Sequence, residues 1–269
     1  MNILFLGDVV GGNSRRYICQ NLSEIKRQFN IDFCIVNVDN ASGGFGIAPN
    51  CAKDFLQSGA DVLTGGDHIW DQREANIFLN QDRRLLRPHN FPKSAPGSGF
   101  REFLGAGDKK YLVIHLMGQV FMKYNVNCPF ECAEEILKNY RLGQNIDAIF
   151  VDFHAEATSE KMAMAKFLDG KISAIIGSHT HIPTNDCHIM RFGSAYQSDA
   201  GMCGDYDSVI GMDKNTPIQT FLHKRKMDKM EPAKGEVTIC GAVIEVENKT
   251  GLASKIFPIK IGGVLASNN

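Results

Sequence analysis

Five apolar runs of this chain end, within about three residues, in side chains that can bind a metal ion or move a proton. They give Asp8, Asp39 with Asn40, Asp67 with His68, His154, and His179 with His181. Three carboxylates, one amide and up to four imidazoles are more than one tetrahedral zinc takes. They suit two octahedral or five-coordinate ions that share a carboxylate. Mixed oxygen and nitrogen donors without thiolate favour Fe, Mn, Zn or Co over a soft metal. Two such ions, roughly 3.5–4 Å apart, clamp the attacking and leaving oxygens of an in-line phosphoryl displacement. The chemistry to expect is phosphoester hydrolysis, with a bridging hydroxide as nucleophile.

Five separate places in the chain meet only if a common edge collects them. In open α/β sheets, ligands bind beyond the carboxyl ends of the strands. Residues 3–6, 33–38, 62–64, 148–153 and 172–176 read as buried strands, and 111–116 as one more. Tyr17, Ile18, Leu22, Ile25 and Phe29 recur at helical spacing. Segments 51–57, 129–140 and 159–168 supply further helices, the second with Pro129 in its first turn. Strand and helix in alternation predict a largely parallel sheet with covering helices. Glycines at 7, 43, 44, 65, 66 and 177 allow tight turns and close backbone approach at that edge. Residues 87–99, with Pro88, Pro92 and Pro96, read as an irregular surface loop. After His181 the segments 188–192, 218–222, 237–247 and 253–261 alternate or are β-rich. They predict a second, mostly antiparallel sheet supplied by the C-terminal part. No linker, repeat or low-complexity stretch interrupts the chain, so one domain over 1–269 is expected.

Composition narrows the function classes. The chain has 269 residues, 29 Lys and Arg against 30 Asp and Glu, and a formal charge of −1. Hydrophobic residues make up 43% and charged residues 22%, which is ordinary globular usage. The near-zero charge argues against long nucleic acid or an anionic membrane as partner. No apolar run approaches the roughly 18 residues that span a bilayer. The opening residues lack a basic segment and a small-residue cleavage site, and read as a first strand. Eight cysteines occur without a CxxC pair. They read as reduced, buried thiols, and the cytoplasm is the expected location.

The ordered set of motifs reaches a family. Gly7-Asp8, Asn37-Val38-Asp39-Asn40, Gly66-Asp67-His68, His154 and Gly177-Ser178-His179-Thr180-His181 resemble the motifs of calcineurin-like metallophosphoesterases. The YmdB-like bacterial subgroup of cyclic-nucleotide phosphodiesterases is the closer match. Its distinctive stretches are Asn40 to Gly44, Trp70-Asp71, Asp152 to Lys161 and Gly201 to Asp213. The resemblance covers nearly the whole chain. It implies an α/β fold, a four-layer αββα sandwich of two mixed β-sheets flanked by helices. It implies two metal ions, Fe or Mn foremost, with Zn, Co or Mg as alternatives. Asp8, Asp39, Asn40 and His181 would hold one ion. Asp39, Asp67, His154 and His179 would hold the other, with Asp39 bridging. His68 would serve as general acid or hydrogen-bond donor to the leaving oxygen. The substrate class implied is a small phosphodiester such as 2′,3′-cyclic AMP, and the assembly a homo-oligomer.

Three positions depart from the patterns. The wider family has a His two residues after the first Asp, where this chain has Val10; the subgroup shares that loss, and Asn40 supplies a donor. The subgroup's usual Glu is Asp39 here, and its usual Asn is Asp67. The first shortens the bridge by a methylene, and the second adds a negative charge. A phosphomonoesterase, an RNA nuclease and a weakly catalytic nucleotide sensor are the competing readings. Asp205 and Asp207 are candidates to line the substrate pocket, with Asp213 in the same Gly-rich loop. His115 is expected in the core or at the surface, and the basic cluster at 224–229 on a solvated face.

Overall fold

The computed structural model describes residues 1–225 and 228–265. Lys226 and Met227 of the basic cluster lie outside the described residues. The chain begins with β1 (Asn2–Leu6), α1 (Gly11–Gln28), β2 (Phe33–Asn37), α2 (Pro49–Gln57), β3 (Val62–Thr64), α3 (Ala75–Gln81) and β4 (Leu85–Leu86). It continues with β5 (Phe100–Leu104), β6 (Lys110–Met117), α4 (Pro129–Leu137), β7 (Ala148–His154), α5 (Thr158–Leu168) and β8 (Ala174–Ser178). Next come β9 (His188–Ile189), β10 (Ala195–Gln197), β11 (Gly204–Asp205), α6 (Asn215–His223), β12 (Val237–Val246) and β13 (Ala253–Ile261).

Two mixed sheets result. The first has the order β11-β12-β1-β2-β3-β4, with β13 also paired to β12. Its β1 to β4 run parallel, and β12 lies antiparallel against β1. The second has the order β5-β6-β7-β8-β10-β9. Its β6, β7, β8 and β10 run parallel, between antiparallel edges β5 and β9.

Period-two alternation along each strand sorts the core into layers. Leu4 and Leu6 of β1 pack with Ile18, Leu22 and Ile25 of α1 and Phe55 of α2. Ile3 and Phe5 face the other way, into a cluster with Tyr111, Val113 and Phe150 of the second sheet. The rings of Phe5 and Phe150 stand 5.1 Å apart, and Phe33 stacks on Tyr111 at 4.2 Å. On the far side, Leu112, Ile149 and Val151 pack under α4 and α5. The architecture is therefore helices, sheet, sheet, helices. Burying each such large side chain stabilises by about 1.5–3 kcal/mol, and the contacts between the sheets fix their relative position.

Of the segments after His181 expected to build the second sheet, 188–192 reaches it, as the antiparallel edge β9, and 237–247 and 253–261 do not. The β12–β13 hairpin joins the first sheet beside β1, in the register Asn2↔Glu245. The second sheet comes from the middle of the chain and is mostly parallel. Alternation reports which faces of a strand are covered; it carries no information on which open edge the strand meets. Residues 218–222, expected to be β-rich, lie in α6. Ile218, Phe221 and Leu222 are spaced i, i+3, i+4, which a helix presents on one face. The 87–99 segment is only partly at the surface. Arg87 and Asn90 are buried, and the Arg87 guanidinium donates to the carbonyls of Pro88 at 2.7 Å and His89 at 3.1 Å. Among the described residues no helix is long and apolar enough to cross a membrane.

Candidate metal centre

The carboxyl ends of β1, β2 and β3 in one sheet and of β7 and β8 in the other converge. Asp8 follows β1, Asp39 and Asn40 follow β2, and Asp67 and His68 follow β3. His154 ends β7, and His179 and His181 follow β8. Parallel registers such as His154↔Ser178 keep these ends level. Asp8, Asp39, Asn40, Asp67, His154 and His181 are buried, while His68 and His179 are partly exposed.

Two donor clusters form. In the first, Asp67 Oδ1 stands 3.2 Å from His154 Nε2 and 3.5 Å from His179 Nδ1. The two ring nitrogens are 3.1 Å apart. Two ligands about 2.1 Å from one ion, at right angles to each other, stand about 3 Å apart, so this triangle fits a shared cation. In the second, Asn40 Oδ1 is 3.3 Å from His181 Nε2. The Asn40 amide donates to the Gly44 carbonyl at 3.1 Å, which turns its oxygen toward His181. Asp39 stands beside the first cluster, its Oδ2 3.6 Å from His154 Nε2, and its oxygens accept the backbone N–H groups of Gly66 and His68. Asp8 Oδ2 accepts the His179 amide at 3.1 Å.

The electrostatics point the same way. Asp8 Oδ1 is buried without a hydrogen-bond partner. Burial, then the charges of Asp67 and Asp8, push the Asp39 carboxyl well above its usual range. Burial also opposes ionisation of Asp67, but hydrogen bonds with His154 and His179 outweigh it and hold that carboxyl far below its usual range. Three buried acids with an orphaned oxygen call for cations, and the oxygen and nitrogen donors fit two of the ions named above.

A buried network holds the ligand-bearing elements. Asp152 accepts from Asn37 at 3.0 Å, Thr64 at 2.6 Å and Ser178 at 2.6 Å. Ser178 Oγ in turn lies 2.9 Å from His154 Nδ1. That bond leaves His154 Nε2 facing Asp67, the usual way an outer partner orients a metal-binding imidazole. His115, for which core and surface were both open, is in the core, 3.3 Å from Asp152. Burial, then the nearby His154, lowers its pKa well below the ordinary 6.5.

His68 has a different setting. Its Nδ1 lies 2.8 Å from Asp71 Oδ2, its ring packs edge-on at 5.0 Å from Phe45, and its Nε2 stays 3.9 Å from Asp67. A carboxylate on Nδ1 leaves Nε2 for another partner. The role of Asp71 was missed in the sequence; the signal was its position three residues after His68. Asp152 and Ser178 were likewise given no role, although both lie inside the quoted motifs.

A cavity of ≈ 480 Å³ opens above these residues. Asp39, Asn40, His68, His179 and His181 line its polar end, while Phe45, Val209, Ile210, Met212, Pro217 and Phe221 are on its apolar walls. Asp205 and Asp207 do not line it. Asp205 accepts the Asp207 and Gly235 amides at 2.9 and 2.8 Å, and exposed Asp207 pairs with Lys214 at 2.8 Å. Asp213 accepts the Asn215 amide at 3.1 Å at the start of α6. Short acidic side chains bond their own turn backbone, so the loop meets the cavity through its apolar residues instead.

Comparisons with known proteins show the family and the fold. The family model described as YmdB-like protein matches residues 4–259. The 2′,3′-cyclic-nucleotide 2′-phosphodiesterase of Bacillus subtilis is 39% identical over 261 residues, 97% of each chain. A novel phosphatase from Mycoplasma pneumoniae has a crystal structure that superposes with a TM-score of 0.90 at 32% identity, covering 97% of this chain and 93% of that one. A hypothetical protein from Thermus thermophilus superposes with a TM-score of 0.90 at 32% identity, covering 98% of this chain and 100% of that one. On the family match and on this similarity across nearly its whole length, the chain belongs to the YmdB-like protein family.

Proposed function

We propose that this chain is a metal-dependent phosphodiesterase for small phosphodiesters, with 2′,3′-cyclic nucleotides such as 2′,3′-cyclic AMP as substrates. The carrying observation is the pair of Asp/His/Asn donor clusters at the floor of one cavity. Asp8, Asp39, Asn40 and His181 would hold one ion and Asp39, Asp67, His154 and His179 the other. The curated relative named for 2′,3′-cyclic nucleotides supports the substrate class. The cavity volume of ≈ 480 Å³ lies in the range of small-molecule sites, about 300–1,000 Å³. Among the described residues no lysine or arginine lines it, so the described cationic candidates at the phosphate are histidines and bound metal.

Bound metal ions neutralise phosphoryl charge and lower the pKa of the attacking water. The residues do the rest. The buried ligands fix where the phosphate sits, and His154 is oriented through Ser178 and Asp152. His68, held by Asp71 at Nδ1, presents Nε2 to the leaving oxygen and donates a proton there. The apolar walls take the base and exclude water around it.

Purified wild type hydrolyses bis-p-nitrophenyl phosphate and 2′,3′-cyclic AMP with added Mn or Fe. His68→Ala loses about 10²–10⁴-fold in kcat, the usual worth of a general acid, and keeps its metal by elemental analysis. Loss of metal in that variant would make His68 a ligand, a role its place within 4.8 Å of Asp39 and Asp67 also allows. Wild type inactive with every divalent ion overturns the proposal. Faster turnover of monoesters or oligoribonucleotides in the same panel selects the competing readings.

A further inference from the structure

Lys161 and Asp199 form an ion pair inside the protein, with each side chain 1% exposed. Lys161 lies on α5, and Asp199 follows β10. The Lys161 ammonium is 2.8 Å from Asp199 Oδ2 and donates to the Ser178 carbonyl at 2.9 Å. The same Asp199 oxygen accepts the Thr180 amide at 3.1 Å, and its other oxygen accepts the Gly201 amide at 2.8 Å. The pair therefore grips the backbone on both sides of His179.

That stretch of backbone is unusual. His179 has φ 99° and His181 φ 66°. Non-glycine residues stay in this left-handed region only where the surroundings hold them there. Both imidazoles line the cavity. Gly177 adds a second sign that the grip is built in. A β-carbon there would meet the Lys161 stem and the Ser198 carbonyl, so glycine leaves the space that both occupy. Stability alone does not account for the pair, because replacing a buried ion pair by apolar residues is often neutral or stabilising.

We propose that the Lys161–Asp199 pair is a positioning device for metal binding: it grips the Ser178 carbonyl and the Thr180 amide, and so holds the His179–His181 turn in the left-handed conformation that aims both imidazoles into the cavity. This rests on the reading of His179 and His181 as metal ligands. The ligands' geometry is thereby set before the ion arrives. The outer helix α5 takes part in the centre through a residue that touches neither ion nor substrate.

The test is a Co(II) titration of wild type and of the double variant Lys161→Met/Asp199→Asn, which removes both charges and leaves no lone buried ion. Binding stoichiometry, affinity and the visible spectrum are read, with urea unfolding of the metal-free proteins as the measure of folding. The variant folds and binds Co(II) roughly 10–100-fold more weakly, the usual effect of losing an outer partner, and its visible spectrum shifts. Wild-type affinity and spectrum in a folded variant overturn the proposal. Should the variant not fold, amide exchange of metal-free wild type decides. Thr180 protected like the amides of β8 supports the grip, and exchange at an exposed-loop rate overturns it. A wild type that binds no Co(II) overturns the metal reading itself, and this proposal with it.

Discussion

A β-carbon at Gly66 would fall on the His154 imidazole and the Asp39 carboxylate. The residue before Asp67 is thus part of the centre by the space it leaves. Single side chains around it divide the work. Asp67 and the two histidines beside it form the tighter donor cluster, while Asp71 stands behind His68. Asp71→Asn keeps the volume and removes the charge that orients the His68 ring. The expected outcome is a kcat at least roughly ten-fold lower, within the total that a general acid contributes. KM and metal content stay nearly unchanged in steady-state kinetics and elemental analysis. A raised KM with unchanged kcat would place Asp71 in substrate binding instead.

The segment between β4 and β5 is held in part through a half-buried histidine. The His89 amide donates to the His115 carbonyl at 2.7 Å, and its ring packs edge-on at 4.9 Å from Phe100. Burial, then the charges of Arg87 and Lys93, lower its pKa below the ordinary 6.5. A base whose folded pKa is depressed contributes stability that is present above the unfolded value and lost as the pH falls below it. His89→Gln, which does not titrate, should therefore show a stability difference from wild type that changes between pH 8 and pH 5. Wild type loses more stability than the variant over that fall, measured by urea unfolding. Parallel pH curves for the two proteins would show that His89 titrates alike folded and unfolded. At this scale the strand-ending motifs were readable, because a buried run followed by Gly, Asp or His is a local pattern. The assignment of 218–222 was not, because five residues are too short a segment for periodicity to separate helix from strand.

Across the whole molecule, two sheets meet through Phe5, Phe33, Tyr111 and Phe150, and the acids of one face the histidines of the other. Asp8, Asp39 and Asp67 belong to the first sheet; His154, His179 and His181 belong to the second. A cation shared between them, as proposed, would tie the two sheets at their carboxyl edges. Metal at about 100 times its dissociation constant adds about 2.7 kcal/mol to folding stability. Calorimetry should show Tm rising by roughly 5–11 °C with Mn or Fe, given 2–4 °C per kcal/mol in proteins near this size, and falling back with a chelator. An unchanged Tm at high metal concentration would mean that no ion binds the folded protein in preference to the unfolded chain.

The sequence by itself determined the donor types, their order and their places at strand ends, since each depends on a few neighbouring residues. It also carried the family, through motifs spread along nearly the whole chain. Tertiary structure decided which sheet the C-terminal hairpin joins, and that choice brings residue 2 opposite residue 245. It decided that Asp205 and Asp207 bond their own loop while Ile210 and Phe221 face the cavity. It brought Lys161 to Asp199, and Asp152 to Ser178, Thr64 and Asn37. The hairpin pairing and the Lys161 and Asp152 contacts join distant parts of the chain, and their stability comes from burial that local periodicity does not record.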